Sequence, residues 1–220
     1  MATTVGVVIF PGTNCEMDAM SSVERLGGIG RLLWHADDDL GDVDAVIVPG
    51  GFAHGDYLRP GAIARFSPVM GAVARFAADG GPVVGICNGF QVLTEAGLLP
   101  GALQKNAGLK FLCQPTTLRV ETTGSILTGR AEVGDQLSVP INHFEGNYTC
   151  NDEMLARLRD EDRVVLRYVD NPNGSVDDIA GVCNESRNVV GLMPHPERAC
   201  DDLLGSADGA VLLGSLLDAA

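Results

Sequence analysis

The sequence predicts an α/β protein: a single three-layer domain over residues 1–220, with a mostly parallel sheet and antiparallel strands added in its second half. Three observations predict it. Short apolar runs, "VGVVIF", "DAVIVPGG" and "PVVGIC", each end in a turn rich in glycine, proline or asparagine, or pass directly into a helical pattern. Helical patterns follow the first and third runs, and one lies between the second and third, so the strands need crossover connections. After about residue 105 the alternation gives way to strand upon strand.

Each element has a local reason. "VGVVIF" is long enough for a buried strand, and "PGTN" turns the chain after it. In "CEMDAMSSVERLGG", Met17, Met20, Val23 and Leu26 recur at helical spacing, and the glycines end the helix. "FSPVMGAVARFAADGG" reads as a second helix with a glycine stop, and "NGFQVLTEAG" as a third. In the second half, "TTLRVET", "QLSVPINHF", "RVVLRYVD", "SVDDIAGVCN" and "NVVGLM" read as strands, with "NPNGS" as a turn. "NDEMLARLRDED" is a short amphipathic helix with an Asn or Asp cap, and "GAVLLGSLLDAA" closes the chain as a helix.

Composition narrows the function classes. A hydrophobic fraction of 45% supports a substantial core. The formal charge is −14 and the only lysines are Lys105 and Lys110, which excludes the basic face that nucleic-acid binding needs. "MATTVGVVIF" has no basic region or cleavage site, and no apolar run approaches the ~18 residues of a membrane helix. A cytoplasmic location and no membrane contact are therefore expected. The six cysteines form no CxxC pair and are expected to be free thiols. No phosphate-binding loop or complete dinucleotide fingerprint is present. His195 and Cys200 lack a matching second pair of ligands, so no metal site is expected.

In open parallel sheets, sites form at the C-terminal ends of strands. "GICNG" (85–89) stands out, having the G-x-C-x-G form of a nucleophile elbow with cysteine in place of serine. A sharp strand-to-helix turn would lift the Cys87 sulfur to a helix N-terminus. There free N–H groups favour the thiolate, and the N–H of Asn88 faces a developing oxyanion. The alternative is a packed cysteine in a tight turn. A thiolate also needs an acid–base partner. His195 lies in "MPHPER", where flanking prolines favour extended backbone and would set Glu197 beside the imidazole. His143, two residues from Glu145, is the competing base, and an ordinary surface histidine is the plainer reading of His195. "VPGGF" (48–52) ends another strand. Its Gly51 is a candidate second oxyanion donor, with Gly50 and Phe52 beside it as substrate-binding candidates.

Strand–"PGGF", strand–"GICNGFQ" and a late "HPE", in that order, resemble the class I glutamine amidotransferases. "FPGTNCEMD", "GFAHGDYLRPGAIARFSP", "RYVDNPNGSVDDIAGVCNE" and "VVGLMPHPERA" are similar to the separate glutaminase subunits of phosphoribosylformylglycinamidine synthase. The resemblance runs from about residue 10 to about residue 199 and implies a flavodoxin-like amidotransferase fold. It implies that Cys87 attacks the side-chain amide of glutamine, that Gly51 and Asn88 hold the oxyanion through backbone N–H groups, and that His195, oriented by Glu197, moves the protons. By the same resemblance Gln91 and the backbone of Asn142 and His143 position glutamine, which makes His143 a pocket wall. It further implies no cofactor on this chain, ATP and magnesium on a large synthetase subunit, and a small third subunit. Ala53, His54, Asn142 and Phe144 depart from the residues common in that family, and Glu145 has no assigned role. A stand-alone γ-glutamyl peptidase and a non-catalytic docking scaffold are the alternatives.

Overall fold

The computed structural model describes residues 2–220. The first apolar run is β1 (Thr4–Ile9), followed by α1 (Glu16–Arg25). The buried stripe of α1 is Ala19, Ser22 and Val23, whereas Met17 is 60% exposed. Of the four residues at helical spacing, Val23 is buried and Met20 and Leu26 pack partly buried against the core, and only Met17 turns outward; Ala19 and Ser22 complete the buried face.

A strand that the sequence analysis did not assign comes next: β2 (Ile29–Trp34). It pairs in parallel with β1, from Thr4 opposite Ile29 to Ile9 opposite Trp34. Only Leu33 among its side chains is buried, so the strand lies at an open edge and shows no run of core residues. Then follow β3 (Ala45–Val48), α2 (Pro68–Ala78), β4 (Val83–Ile86) and α3 (Asn88–Glu95), as the apolar runs predict. Every residue of β3 and β4 is buried. Successive strand residues point to opposite faces, so both faces of the sheet are covered.

The second half contributes β5 (Ala102–Gln104), β6 (Leu112–Val120), β7 (Gln136–His143), β8 (Asn147–Thr149), α4 (Asp152–Asp160), β9 (Val164–Tyr168), β10 (Ile179–Cys183), β11 (Val189–Leu192) and α5 (Gly209–Ala219). β5 and β8 pair only with each other and, at three residues each, are too short to show a period in sequence. The cap of α4 is Asn151, whose side chain accepts from Met154 N at 2.8 Å.

Among the described residues the main sheet has nine strands in the order β2-β1-β3-β4-β11-β10-β9-β6-β7. β2, β1, β3, β4 and β11 run parallel, and β10, β9, β6 and β7 are added antiparallel. β11, the last strand in sequence, inserts beside β4. That insertion brings the late "HPE" segment to the end of the strand that carries Cys87. All six cysteines are free. Among the described residues no helix is long and apolar enough to cross a membrane.

Candidate active site

Cys87 follows β4 and caps α3, with φ 52° and ψ −106°. A left-handed φ is unfavourable for a residue with a Cβ, and its presence here means that the surrounding packing holds the turn. The packing is visible at Gly89, where an added Cβ would collide with the carbonyl of Val48 in β3. The helix can approach the strand this closely only with glycine at that position. Cys87 is 6% exposed, its sulfur faces the carbonyl of Asn142 at 3.7 Å, and it lies at the N-terminus of α3. Asn88 is the first residue of that helix, so its N–H has no intrahelical acceptor.

The Asn88 side chain has work of its own. Its Oδ1 accepts from Ala53 N at 2.9 Å, which fixes the amide orientation, and its Nδ2 donates to Gln91 Oε1 at 2.8 Å and to the Asp56 carboxylate. Gln91 Nε2 donates in turn to the Glu145 carbonyl at 2.6 Å. Two loops are thereby tied to the start of α3 at the elbow. Gly51, at φ 149°, lines the cavity beside Phe52, which is 55% exposed at the rim. Gly50 is not among the residues that line the cavity but adjoins the catalytic pair. An added Cβ there would come within 2.8 Å of His195 Cε1 and 3.5 Å of Cys87 Cβ. Its role is to let these two residues meet.

His195 and Glu197 are both buried, and Nδ1 of the imidazole lies 2.6 Å from Glu197 Oε1. The expected contact forms, but on a different backbone. His195 is non-helical, whereas Pro196–Arg198 is a turn of 3-10 helix rather than extended chain. Proline fits the first position of such a turn as readily as a strand, so the flanking prolines did not distinguish the two. His195 N donates to the Pro140 carbonyl at 2.8 Å, tethering the segment to β7. Burial opposes charge on His195, but Glu197 and then Cys87 outweigh it, and the imidazolium persists well above the ordinary histidine range.

His143 contrasts with it. Asn106 Nδ2 donates to the His143 and Lys110 carbonyls, so Asn106 Oδ1 is the acceptor at 3.1 Å from His143 Nδ1, and that nitrogen carries the proton. Burial, followed by repulsion from His195, lowers the His143 pKa to about 4. A ring so weakly basic is neutral at pH 7 and a poor proton acceptor. Asn142, His143, Phe144 and Glu145 all line the cavity, and burial, then the nearby Asp56 charge, raises the Glu145 pKa. His54 lies outside this cavity, against Phe10 and His35, with Nε2 3.1 Å from Ser67 Oγ.

The sequence analysis missed Cys15, Asp56 and Arg198, which also line the cavity. One signal was available: "PGTNC" ends the first parallel strand, where sites of this architecture form. Cys15, His195 and Glu197 place possible ligand atoms within 4.8 Å of one another. The Arg198 guanidinium on the Cys15 sulfur at 3.1 Å and the His195–Glu197 hydrogen bond occupy these donors and disfavour a further cation. Cys200 donates its thiol to the Pro196 carbonyl at 3.1 Å instead.

Comparison with known proteins gives the family. Residues 2–208 match the CobB/CobQ-like glutamine amidotransferase domain. The phosphoribosylformylglycinamidine synthase subunit PurQ of Rubrobacter xylanophilus is 61% identical over 213 residues, covering 97% of both chains. That of Koribacter versatilis is 54% identical over 227 residues, again covering 97% of both. A chain in the structure of PurLQS from Thermotoga maritima superposes with a TM-score of 0.92 at 44% identity, covering 99% of each chain. A Thermoplasma acidophilum protein named for GMP synthase, at 16% identity and TM-score 0.68 over 100% of this chain and 94% of that one, shares the fold. The chain belongs to the CobB/CobQ-like glutamine amidotransferase family, among the PurQ subunits of phosphoribosylformylglycinamidine synthase.

Proposed function

We infer that this chain is the glutaminase subunit of phosphoribosylformylglycinamidine synthase in purine biosynthesis. It hydrolyses glutamine and supplies ammonia to an ATP-dependent synthetase subunit, PurL, assembled with the small subunit PurS. The observation that carries the chemistry is the strained Cys87 turn packed against the buried His195–Glu197 pair. The large subunit converts formylglycinamide ribonucleotide to the amidine. ATP and magnesium belong to that subunit, and this chain needs no cofactor of its own.

The Cys87 thiolate attacks the glutamine side-chain carbonyl carbon. The N–H groups of Gly51 and Asn88 hold the oxyanion. As the tetrahedral intermediate collapses, the C–N bond breaks and the His195 imidazolium gives its proton to the leaving ammonia, leaving a γ-glutamyl thioester. Neutral His195 then takes a proton from water, which attacks the thioester. Glutamate leaves, and the thiolate–imidazolium pair is restored. Glu197 holds the imidazole by Nδ1 throughout. Gln91, Asn142 and His143 form the wall against which glutamine lies.

Glutamate release from glutamine, measured with and without PurL and PurS, tests this reading. Wild type should be slow alone and faster in the complex, and Cys87→Ser should lose activity in both settings. Glu197→Ala should cost less than Cys87→Ser, by orders of magnitude, because Glu197 orients the imidazole and favours its charge but forms and breaks no bond with the substrate. Equal activity of wild type and Cys87→Ser would sink the mechanism. Activity indifferent to the partners would sink only the assignment to the complex.

A further inference from the structure

A second cysteine stands at the end of a parallel strand. The turn after β1 delivers Cys15 to the N-terminus of α1, where it is 3% exposed and lines the same cavity as Cys87 and His195. No step of the thioester chemistry uses it.

Its surroundings are specific. Arg198 Nη2 donates to Cys15 Sγ at 3.1 Å, and Arg198 Nε donates to Asp18 Oδ2 at 3.0 Å. Asp18 lies three residues beyond Cys15, so the first turn of α1 carries both the sulfur and the carboxylate that aims the guanidinium at it. The Cys15 sulfur, a ring nitrogen of His195 and a carboxylate oxygen of Glu197 all lie within 4.8 Å of one another. The N–H groups of Asn14 and Cys15 both donate to the Gly50 carbonyl at 3.1 Å. The missing Gly50 side chain is what admits the sulfur, since a Cβ there would stand 3.1 Å from Cys15 Sγ and 2.8 Å from His195 Cε1. Ser22, also on α1, donates its hydroxyl to the Glu197 carbonyl at 2.8 Å.

We propose that Cys15 is a positioning residue for His195: its sulfur, held by Arg198, flanks the imidazole and keeps it beside Cys87. This rests on the reading of His195 as the proton donor to ammonia. The charged or titratable groups facing His195 are Glu197 and Arg198 on its own segment, Cys87 from the elbow, Cys15 from α1 and His143 from β7. Burial disfavours the imidazolium, while Glu197, Cys87 and Cys15 favour it; the charged ring in turn lowers the His143 pKa, so His143 faces it as a neutral group. Removing the Cys15 sulfur deletes one of the favourable contacts. His195 then loses its proton at lower pH, and the alkaline limb of kcat/KM moves down with it.

The test uses the complex of this chain with PurL and PurS and follows glutamate release across pH. Cys15→Ala should move the alkaline limb down by about half a pH unit or more and lower kcat about threefold or more along that limb, with KM for glutamine little changed. Cys15→Ser keeps an acceptor for Arg198 and should restore most of the profile. Superimposable profiles for wild type and Cys15→Ala overturn the proposal. So does an equal loss for Ala and Ser with the limb unmoved, which means packing alone. If Cys15→Ala does not fold, Asp18→Ala leaves the sulfur in place but releases Arg198; it should move the limb in the same direction, and an unmoved limb overturns the proposal. Failure of the glutaminase reading looks different: the wild-type complex releases no glutamate, or Cys87→Ser still does.

Discussion

Two histidines with an acidic residue two positions away end in opposite protonation states, and the difference lies in what each is buried with. His195 is buried with a carboxylate, and the pair retains its charge. His143 is buried with an amide oxygen and a neighbouring cation, and it stays neutral. A pH dependence of stability follows. The folded His143 pKa of about 4 lies below its ordinary value of 6.5, so between these values the unfolded chain binds more protons. Stability from this residue is fully present above pH 6.5 and is lost as pH falls toward 4, by an amount on the order of 3 kcal/mol. In urea titrations across pH 4–7, His143→Gln should flatten this part of the stability curve. A curve as steep as that of wild type would show that other groups govern the acid loss.

At the scale of elements, the elbow depends on one close approach between α3 and β3. Gly89→Ala sets a methyl group against the Val48 carbonyl, where neither backbone has room to give. It should cost about 3 kcal/mol or more, or prevent folding. Gly108→Ala meets nothing within 4 Å and should leave the denaturation midpoint within the range of a surface change. Thermal or urea unfolding of the two variants side by side checks this, and comparable losses would refute the close-packing account of the turn. The Asn88 side chain reaches the same conclusion by hydrogen bonding. It ties the helix start to Ala53 and Asp56 on one loop and, through Gln91, to Glu145 on another.

Over the whole molecule, the cavity opens beside a surface unusual for so acidic a chain. Phe52 on the cavity rim and Tyr57 and Leu58 in the same loop are exposed at 55, 86 and 78%. Contiguous exposed apolar groups mark interaction surfaces, and the proposed function needs a partner that receives ammonia. Leu58→Asp should therefore weaken assembly with PurL and PurS, about tenfold or more in Kd, while leaving glutamate release by the isolated chain within about twofold of wild type. Binding measured by sedimentation or calorimetry, beside glutamate release from the free chain, separates the two effects. Unchanged assembly would place the docking surface elsewhere.

By itself the sequence determined the strands and helices with an internal signal. β1, β3, β4 and β11 are near-continuous apolar runs because both sheet faces are covered, and G-x-C-x-G marks the sharp turn because only glycines leave room for the backbones to close around Cys87. It also singled out Cys87, His195 and Glu197, through spacing and flanking prolines and then through family resemblance. β2 was not legible because an edge strand buries one side chain, and β5 and β8 because three residues show no period. Tertiary structure alone decided the rest. Insertion of β11 beside β4 brings residues 87 and 195 together across more than a hundred positions, a pairing that no local pattern encodes. The same insertion, with α1 packed against the "HPER" turn, seats Cys15 and Arg198 at the imidazole. Their roles come from distance and burial, and these are properties of the folded chain.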